Sequence, residues 1–403
     1  MKGMRIALIG LCMAGVAAAA DYPEGTEVIR NGSTPVHGLE EARLEEMWRA
    51  GGEDGEVIFG NIFRAEADAE GNVYLVDTQL SEVPVFSPAG EHIRTVSREG
   101  EGPGETRGPV DLTMLPDGTL GVLQRFPGKV VKVALDGTPA GEFRLGDGPG
   151  EGLNAVYTAR CRGSNLFLVA QLATRTEGGQ TRTWYVSRFD AEGKELARCW
   201  ERVMNVDFTR PVIRESDIID PVVFACAAGA DGRVYLAPDR YRYAIHVYAP
   251  DGSLHHVIER DFEPRERNEV ETGRVQSVFD VWTRQSPVPP ETEVEHIATT
   301  ITALYVDDRN RLWVENSRGS RIEAGETRMV YDIFDADGRF DRQVALICDA
   351  NFEDDQLFRV RDDMAVLIKG SIPALYAAMA EGAQELDAEM EPEPMEVVCF
   401  QVP

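Results

Sequence analysis

Zinc ligands are scarce in this sequence of 403 residues. It contains six cysteines and six histidines, and no CxxC spacing occurs. The histidines are His37, His92, His246, His255, His256 and His296. The sequence predicts a ring of repeated β-strand units around a central channel. Among the histidines, only His296 lies just before an inner strand of this ring. A zinc site built from three histidines is therefore not expected.

Basic residues are outnumbered by acidic ones. The chain has 41 Lys and Arg against 69 Asp and Glu, which gives a formal net charge of −28 at pH 7. Proteins that bind nucleic acids or anionic membrane surfaces rely on clustered Lys and Arg. Neither partner is expected here. The acidity favours solubility, and a calcium-rich or saline habitat is the alternative explanation.

Long apolar runs are absent except at the start of the chain. Lys2 and Arg5 precede an apolar run from Ile6 to Val16, and small residues follow up to Ala20. This order is typical of a secretory signal peptide. The run is too short for a permanent membrane span, and no later run reaches the necessary length. We therefore predict that residues 1–20 are cleaved off near Ala20 and that the protein is secreted or periplasmic.

Cysteine is too rare after the signal peptide to form a disulfide framework. The five that remain are Cys161, Cys199, Cys226, Cys348 and Cys399. An odd number leaves at least one thiol unpaired within the chain. Cys161 and Cys199 fall within one repeat and could form a disulfide. The alternative is that all five are buried free thiols, because each lies in a strand-like run.

A repeated pair of strand patterns organises the rest of the chain. The first copy covers residues 68–77 and 83–91, where Gly-containing turns adjoin short runs of β-branched and aromatic residues. Similar copies occur at 230–237 with 245–252 and at 307–314 with 331–338. Repetition at this period predicts the blades of a propeller.

The turn glycines define the content of each blade. Gly71 and Gly90 are 19 residues apart, as are Gly118 and Gly137. This constancy predicts a four-stranded antiparallel meander, with strands A to D, in every repeat. The six repeats cover about residues 58–100, 106–146, 153–203, 220–262, 296–348 and 352–402. The predicted fold is an all-β, six-bladed β-propeller over residues 58–403.

The last repeat shows only three convincing strands before the chain ends. The N-terminal segment, residues 21–57, is predicted to contain a strand at 26–30, centred on Val28, and a short helix at 39–49. We expect the strand around Val28 to complete the sixth blade. Closure of this kind removes two exposed sheet edges at once.

Three sequence patterns in the first repeat and the connector after it resemble those of a known family. The chain resembles six-bladed β-propellers related to NHL-repeat proteins in three sequence patterns. These are Asp68-x-x-Gly71-Asn72-Val73-Tyr74, Phe86-x-Pro88-x-Gly90 and the Gly-rich connector at 97–105. The similarity is greatest to exported bacterial members of unassigned function. The resemblance implies the fold, but this fold serves lyases, lactonases and interaction modules alike.

Local motifs for catalysis are missing. The Gly-rich connector lacks the Lys-Ser/Thr ending of a P-loop and is interpreted as a loop between blades. No nucleophile elbow and no EF-hand spacing occur. Asp111, Asn154 and Asp220 lie near the starts of inner strands, where a calcium-dependent lactonase would place its ligands. A lactonase-like hydrolase or lyase with its site at the channel mouth is therefore the alternative function. No cofactor is predicted for the binding function, and calcium is the cofactor that the alternative function would require.

The loops are predicted to divide unequally between the two faces of the ring. The A–B and C–D turns are short and acidic, so the B–C loops and D–A connectors must emerge on the opposite face. Long insertions at 173–183, 315–328 and 370–394, and a predicted helix at 265–282, all fall on that face. We name it the B–C loop face.

Arginines and aromatic residues gather on this face, where loops on a rigid scaffold commonly bind ligands. The predicted ligand-binding residues are Gln124, Arg125, Arg175, Arg182, Arg240, Tyr241, Arg242, Tyr243, Asn316 and Arg318. Bidentate donors beside aromatic area suit a carboxylated saccharide or a peptide carboxylate. The alternative is that the arginines pair with neighbouring Asp and Glu. The predicted function is a monomeric binding or interaction scaffold for a small molecule, saccharide or protein.

Overall fold

The computed structural model describes residues 22–53, 55–146, 152–209, 212–284, 290–381 and 394–403. The predicted signal peptide, residues 1–20, lies outside these ranges. Within them, no helix has the length and apolar character needed to cross a membrane.

Three strands precede the first blade, and four strands form each of the first three blades. The N-terminal strands are β1 (Glu27–Asn31), β2 (Leu39–Arg43) and β3 (Glu45–Gly51). Blade 1 contains β4 (Ile62–Ala67), β5 (Val73–Asp77), β6 (Pro84–Phe86) and β7 (His92–Thr95). Blade 2 contains β8 (Pro109–Met114), β9 (Leu120–Gln124), β10 (Lys129–Val133) and β11 (Pro139–Arg144). Blade 3 contains β12 (Leu153–Arg162), β13 (Asn165–Thr176), β14 (Gly179–Phe189) and β15 (Glu195–Asp207).

The second half adds two helices to the blades. After β16 (Val212–Arg214), blade 4 contains β17 (Cys226–Ala228), β18 (Val234–Leu236), β19 (Ala244–Tyr248) and β20 (Leu254–Arg260). Helix α1 (Glu269–Arg284) and β21 (Glu291–Glu293) follow. Blade 5 contains β22 (Ile301–Val306), β23 (Leu312–Asn316), β24 (Ser320–Glu323), β25 (Glu326–Phe334) and β26 (Phe340–Ile347). Blade 6 contains β27 (Gln356–Arg361), β28 (Met364–Lys369), α2 (Ser371–Glu381) and β29 (Glu396–Gln401).

Strand pairing confirms the six-bladed propeller. The inner strand of each blade begins at the B–C loop face, and successive strands pair antiparallel toward the outside of the ring. Six clusters of buried apolar side chains lie between neighbouring blades, one at each seam. The core is thus distributed around the ring, because each sheet buries its faces only against the next blade.

An N-terminal strand closes the ring, as predicted, but it is β3 rather than the strand around Val28. β3 pairs antiparallel with β29 and forms the outer strand of blade 6. β1 contains Val28 and instead pairs in parallel with β20 at the outer edge of blade 4. β2 adds in the same way to β26 of blade 5. The predicted closing strand therefore extends a blade that is already complete.

The helix predicted at 39–49 is wrong, because these residues form β2 and most of β3. Leu44 and Trp48 are four residues apart, a spacing that would place them on one face of a helix. A β-bulge in the pairing with β29 leaves Met47 without a partner in the register. Leu44 then packs in the seam between blades 5 and 6, and Trp48 packs in the seam between blades 6 and 1.

The repeated C–D turn glycines bring neighbouring blades into close contact. Gly90 has φ +82°, and a Cβ atom there would lie 2.6 Å from Cβ of Trp48 in the preceding blade. The turn glycines of blades 3 and 4, Gly193 and Gly252, approach Phe143 and Arg198 of their preceding blades in the same way. Side chains rarely adopt this φ and do not fit this space. The turn glycines that identify the repeat in the sequence therefore also allow neighbouring blades to pack closely together.

All five cysteines after the predicted signal peptide are free thiols, so the Cys161–Cys199 disulfide is wrong. Cys161 lies on β12 and Cys199 on β15, the first and last strands of blade 3. Three strand spacings separate them, which amounts to about 14 Å and exceeds the span of a disulfide.

The insertions on the B–C loop face are more regular than expected. α1 confirms the predicted helix at 265–282, with a shift of its bounds. Residues 173–183 continue β13 and β14 as a long hairpin, and residues 315–328 contain the added strand β24. The insertion at 370–394 begins with α2, and residues 382–393 lie outside the described residues.

Candidate functional site

A cavity of about 380 Å³ occupies the central channel of the ring. The inner strands of all six blades contribute to its wall. Because inner strands alternate their side chains between the channel and the seams, every second residue can face the cavity. In β4, Arg64 and Glu66 line the cavity, whereas Ile62, Ala65 and Ala67 pack in the seam. A register shift between Ile62 and Arg64 interrupts the alternation at the start of this strand.

Helix α2 covers part of the channel on the B–C loop face. Its apolar residues Leu375, Ala378 and Met379 line the cavity. The Asn61 side-chain amide, just before β4, donates to the Ala374 carbonyl over 3.0 Å. Trp282 of α1 donates from Nε1 to the Met379 carbonyl over 2.9 Å. α2 thus forms an apolar roof that is attached to blade 1 and supported by α1.

A band of charged residues lies farther down the channel, where Arg64, Asp111 and Arg160 meet. Asp111 Oδ2 accepts from an Arg160 terminal nitrogen at 2.7 Å and from the Ala159 amide at 3.1 Å. Asp111 Oδ1 accepts from the Leu112 amide at 2.9 Å. The charge of Asp111 is therefore already balanced by Arg160 and two backbone donors.

Arg64 is the less well compensated cation of this band, because it shares Asp111 with Arg160. Its Nε lies 3.6 Å from Asp111 Oδ1, and no hydrogen bond joins its guanidinium to any residue that the structure describes. The group lies over the Phe358 ring, 5.1 Å from the centroid. Burial and the neighbouring charge of Arg160 lower the pKa of Arg64. The two like charges and the free donors make this a place where an anion would be stabilised.

Glu66 lies on the same strand, one side chain below Arg64. Burial raises the pKa of Glu66 from 4.5 to about 7, and the positive charges of Arg64 and Arg160 only partly oppose this effect. The carboxyl group is thus poised to gain or lose a proton near neutral pH. Such a group beside an arginine without a hydrogen-bond partner is typical of a functional site.

The opposite wall of the cavity contains a second carboxyl group. Glu315 accepts from Thr302 Oγ1 at 2.9 Å and from the Tyr331 hydroxyl at 3.2 Å. Burial raises its pKa. Nearby, Arg359 is stacked against Trp313 at 3.9 Å from the ring centroid and donates to the Asp362 carbonyl at 2.7 Å. This wall is held together by its own hydrogen bonds and ring contacts.

The channel mouth on the B–C loop face combines a cation with apolar side chains. The Arg125 guanidinium lies 4.6 Å from the centroid of Tyr157 and donates to its hydroxyl at 3.3 Å. Ile219 and the exposed Phe224 line the cavity beside them. Of the ten predicted ligand-binding residues, Arg125 is the one that lines this cavity.

Five of the predicted residues form hydrogen bonds or ion pairs that anchor the loops. Arg240 pairs with Glu215 at 2.6 Å, Arg242 pairs with Glu259 at 2.6 Å, and Arg318 donates to the Glu263 carbonyl at 2.7 Å. Tyr241 donates to Glu295. Gln124 is buried and accepts from the Arg107 amide at 3.0 Å. For the arginines, these contacts match the alternative of pairing with acidic neighbours.

Two more predicted residues are buried around one carboxylate. Tyr243 and Asn316 donate to Asp332 Oδ2 at 2.8 and 2.9 Å. Arg260 donates to the same oxygen, and Gln343 donates to Oδ1 at 2.8 Å. This network joins blades 4 and 5. A ligand on the surface would not reach Tyr243 or Asn316, both of which are more than nine-tenths buried.

The last two predicted residues lie on the long hairpin of blade 3. Arg175 is exposed near its tip. Arg182 lies on β14, and its guanidinium lies beside the side-chain amide of Gln180. Neither takes part in an ion pair between described residues. The ten residues are thus spread over blades 2 to 5, and their ligand-binding role stays a prediction.

The residues proposed for calcium do not converge. Asp111 lines the cavity, but Asn154 and Asp220 do not. Asn154 Oδ1 accepts from the Tyr185 hydroxyl at 3.2 Å, and Asp220 pairs with Arg202 at 2.6 Å. None of the six histidines lines the cavity. Over the described ranges, no three His, Cys, Asp or Glu side chains form a group that could hold a metal ion.

Sequence reasoning missed Arg64, Glu66 and Arg160. A signal was present, because Arg64 and Glu66 alternate with Phe63, Ala65 and Ala67 in the first strand of a blade. In an inner strand this alternation marks charge directed at the channel.

Solved structures of other propellers are similar to this chain, whereas no protein-family profile and no curated protein matches it. A protein described as exported from Bacteroides fragilis is 13% identical, with 93% of this chain and 99% of that chain covered and a TM-score of 0.46. A duf4221 family member from Bacteroides vulgatus is 10% identical, with 90% and 99% covered and a TM-score of 0.45. Regucalcin from Agrobacterium tumefaciens, a calcium-binding protein, is 11% identical, with 90% and 96% covered and a TM-score of 0.37. Exported bacterial propellers are thus among the similar structures, as the resemblance implied. At these values the comparisons carry no argument about ligand or reaction.

Proposed function

We propose that this chain is an exported ligand-binding propeller that takes a small molecule into its central cavity from the B–C loop face. The observation that carries the proposal is Arg64 inside a cavity of about 380 Å³, where its guanidinium shares Asp111 with Arg160 and donates no hydrogen bond to a described residue. This volume lies within the range of small-molecule sites, which are mostly apolar with a few directed polar groups. The apolar roof of α2 and the charged band supply these two components.

The B–C loop face is the side from which a ligand would enter. Arg125, Tyr157 and Phe224 lie at the mouth, so a ligand would meet a cation and flat apolar area before reaching Arg64. Arg175 and Arg182 have no acidic partner among the described residues and could contact a larger ligand farther out. Arg240, Arg242 and Arg318 serve mainly to hold the loops in place.

A binding role is favoured over a calcium-dependent hydrolase, because the residues that would bind calcium already have hydrogen-bond or ion-pair partners. Asp111 and Asp220 are each paired with an arginine, and Asn154 accepts from a tyrosine. A cation would have to displace these partners. Measuring the metal content of the purified protein tests this choice, because stoichiometric calcium would favour the hydrolase alternative.

The cavity itself can be tested with a blocking variant. Ala303 of β22 lines the cavity and is half-buried. Ala303→Phe should fill the channel at mid-height and leave the seams intact. We expect carboxylates, amides or amines that raise the melting temperature of the wild-type protein to lose this effect on the variant. Compounds that stabilise both proteins equally would show that binding takes place elsewhere.

A further inference from the structure

The cavity is divided into an apolar end and a charged end. Asn61 contacts α2 just before β4 begins, and the strand then runs from the roof toward the A–B turn. At about 3.3 Å per residue, Arg64 lies roughly 7 Å below Ile62 and Glu66 roughly 13 Å below it. Leu375, Ala378 and Met379 line the upper end. A molecule that fits both ends has an apolar tail and a polar head.

The charges at the lower end specify an anionic head. Arg64 and Arg160 share the single negative charge of Asp111, so these three groups and a protonated Glu66 together carry one positive charge in excess. Its terminal nitrogens donate no hydrogen bond to any described residue, and a carboxylate matches the fork geometry of a guanidinium. A cationic ligand would be repelled by both arginines. A single excess charge under an apolar roof suits a monoanion better than a phosphate dianion.

Glu66 is the group that competes with such an anion. When it is ionised, its negative charge faces Arg64 and Arg160, which are the two cations that act on it most strongly. A bound carboxylate would bring a second negative charge into this space. Two carboxylates that share one site cannot both stay ionised without a large cost. Glu66 would therefore be protonated in the complex.

We propose that the cavity binds an amphipathic monocarboxylate, with its carboxylate on Arg64 and Arg160 and its tail beneath α2, and that Glu66 takes up one proton on binding. The inference rests on the proposed function and specifies its ligand class. The charged or titratable groups that act on Glu66 or share its cavity are Arg64 on β4, Asp111 on β8, Arg125 after β9, Tyr157, Arg160, Cys161 and Arg162 on β12, Tyr305 on β22, Glu315 on β23, Tyr331 on β25 and Arg359 on β27.

The proton linkage has a definite sign. Burial holds Glu66 protonated up to a pH of about 7, so below that value the free protein already carries the proton. Above it, binding must take a proton from solution. The dissociation constant should therefore be constant at low pH and rise up to tenfold per pH unit above about 7.

The experiment is calorimetric titration of the mature protein with octanoate between pH 5.5 and 8.5, in buffers of different ionisation enthalpy. We expect uptake of about one proton at pH 8.5 and almost none at pH 5.5. In Glu66→Gln the pH dependence should disappear, and octanoate should bind at pH 8.5 at least tenfold more tightly than to the wild type. Arg64→Met should weaken octanoate binding more than tenfold, and octanamide should bind weakly to every variant.

Arg30→Gln is the matched control, because Arg30 is exposed on β1 and its removal changes the net charge equally. It should leave octanoate binding unchanged, and melting curves of all variants establish that they are folded. Octanoate binding without proton uptake would overturn the linkage. If octanoate does not bind, while other compounds bind to the wild type and not to Ala303→Phe, this result would overturn the ligand class and leave the proposed function standing. If no compound binds in that manner, both proposals fail.

Discussion

Replacing Trp48 by alanine should weaken the propeller at the seam where β3 closes the ring. Trp48 is 6% exposed, and its ring lies 5.5 Å from that of Phe86 in blade 1. Removing a buried tryptophan typically costs about 3–5 kcal/mol. At roughly 2 °C per kcal/mol for a large domain, the melting temperature should fall by about 6–10 °C. Trp48→Phe should recover much of this loss, because the buried indole Nε1 has no hydrogen-bond partner among the described residues.

Two deletions separate β3 from the strand around Val28. Removing residues 22–35 eliminates β1, which only extends blade 4, so the protein should still melt cooperatively at a slightly lower temperature. Removing residues 22–52 eliminates β3 as well and should abolish cooperative melting, because blade 6 is left with an open edge. Thermal unfolding followed by circular dichroism distinguishes these outcomes. Equal melting temperatures for the two deletions, or an unchanged one for Trp48→Ala, would refute the assignment of β3 as the closing strand.

Three further predictions concern buried polar groups. Asp332→Ala should lower the free energy of unfolding by about 3–5 kcal/mol, because Arg260 would remain as a buried cation without its partner; a loss under 1 kcal/mol in urea denaturation would contradict this. The five cysteines should react with a thiol reagent at pH 8 only after denaturation, since burial raises the pKa of every one of them; rapid reaction of the native protein would disagree. Glu66→Gln should stabilise the protein by roughly 1–2 kcal/mol at pH 8 and little at pH 5. A carboxyl whose pKa rises from 4.5 to about 7 on folding opposes folding to a degree that grows across this pH interval and is constant above it. The same gain at both pH values would rule this out.

The blades were predictable from sequence because their turns have a local chemical requirement. Gly90 and its equivalents need a positive φ and space for the neighbouring blade, so they recur at fixed spacing. The closing strand was not predictable in this way. Leu44 and Trp48 have helical spacing, and only pairing with β29, more than 300 residues away, makes the segment a strand.

The candidate site was predicted less well, because a cavity is made by residues that are distant in sequence. Loop arginines such as Arg240 attract attention as single residues, but Glu215 neutralises Arg240 in the folded chain. Arg64 lacks a hydrogen-bonded carboxylate because Arg160 has already engaged Asp111, which belongs to a third strand. Such a balance of charge arises from strands brought together by the ring and has no local pattern.

The location of a bound carboxylate tests the central claim most directly. A crystal structure of the mature protein with octanoate at pH 6 should show the carboxylate within hydrogen-bonding distance of Arg64 and Arg160, and the tail against Leu375 and Met379 of α2. Octanoate bound on the outer surface of the B–C loops, with Arg64 still free of an anion, would contradict the claim that the central cavity is the binding site.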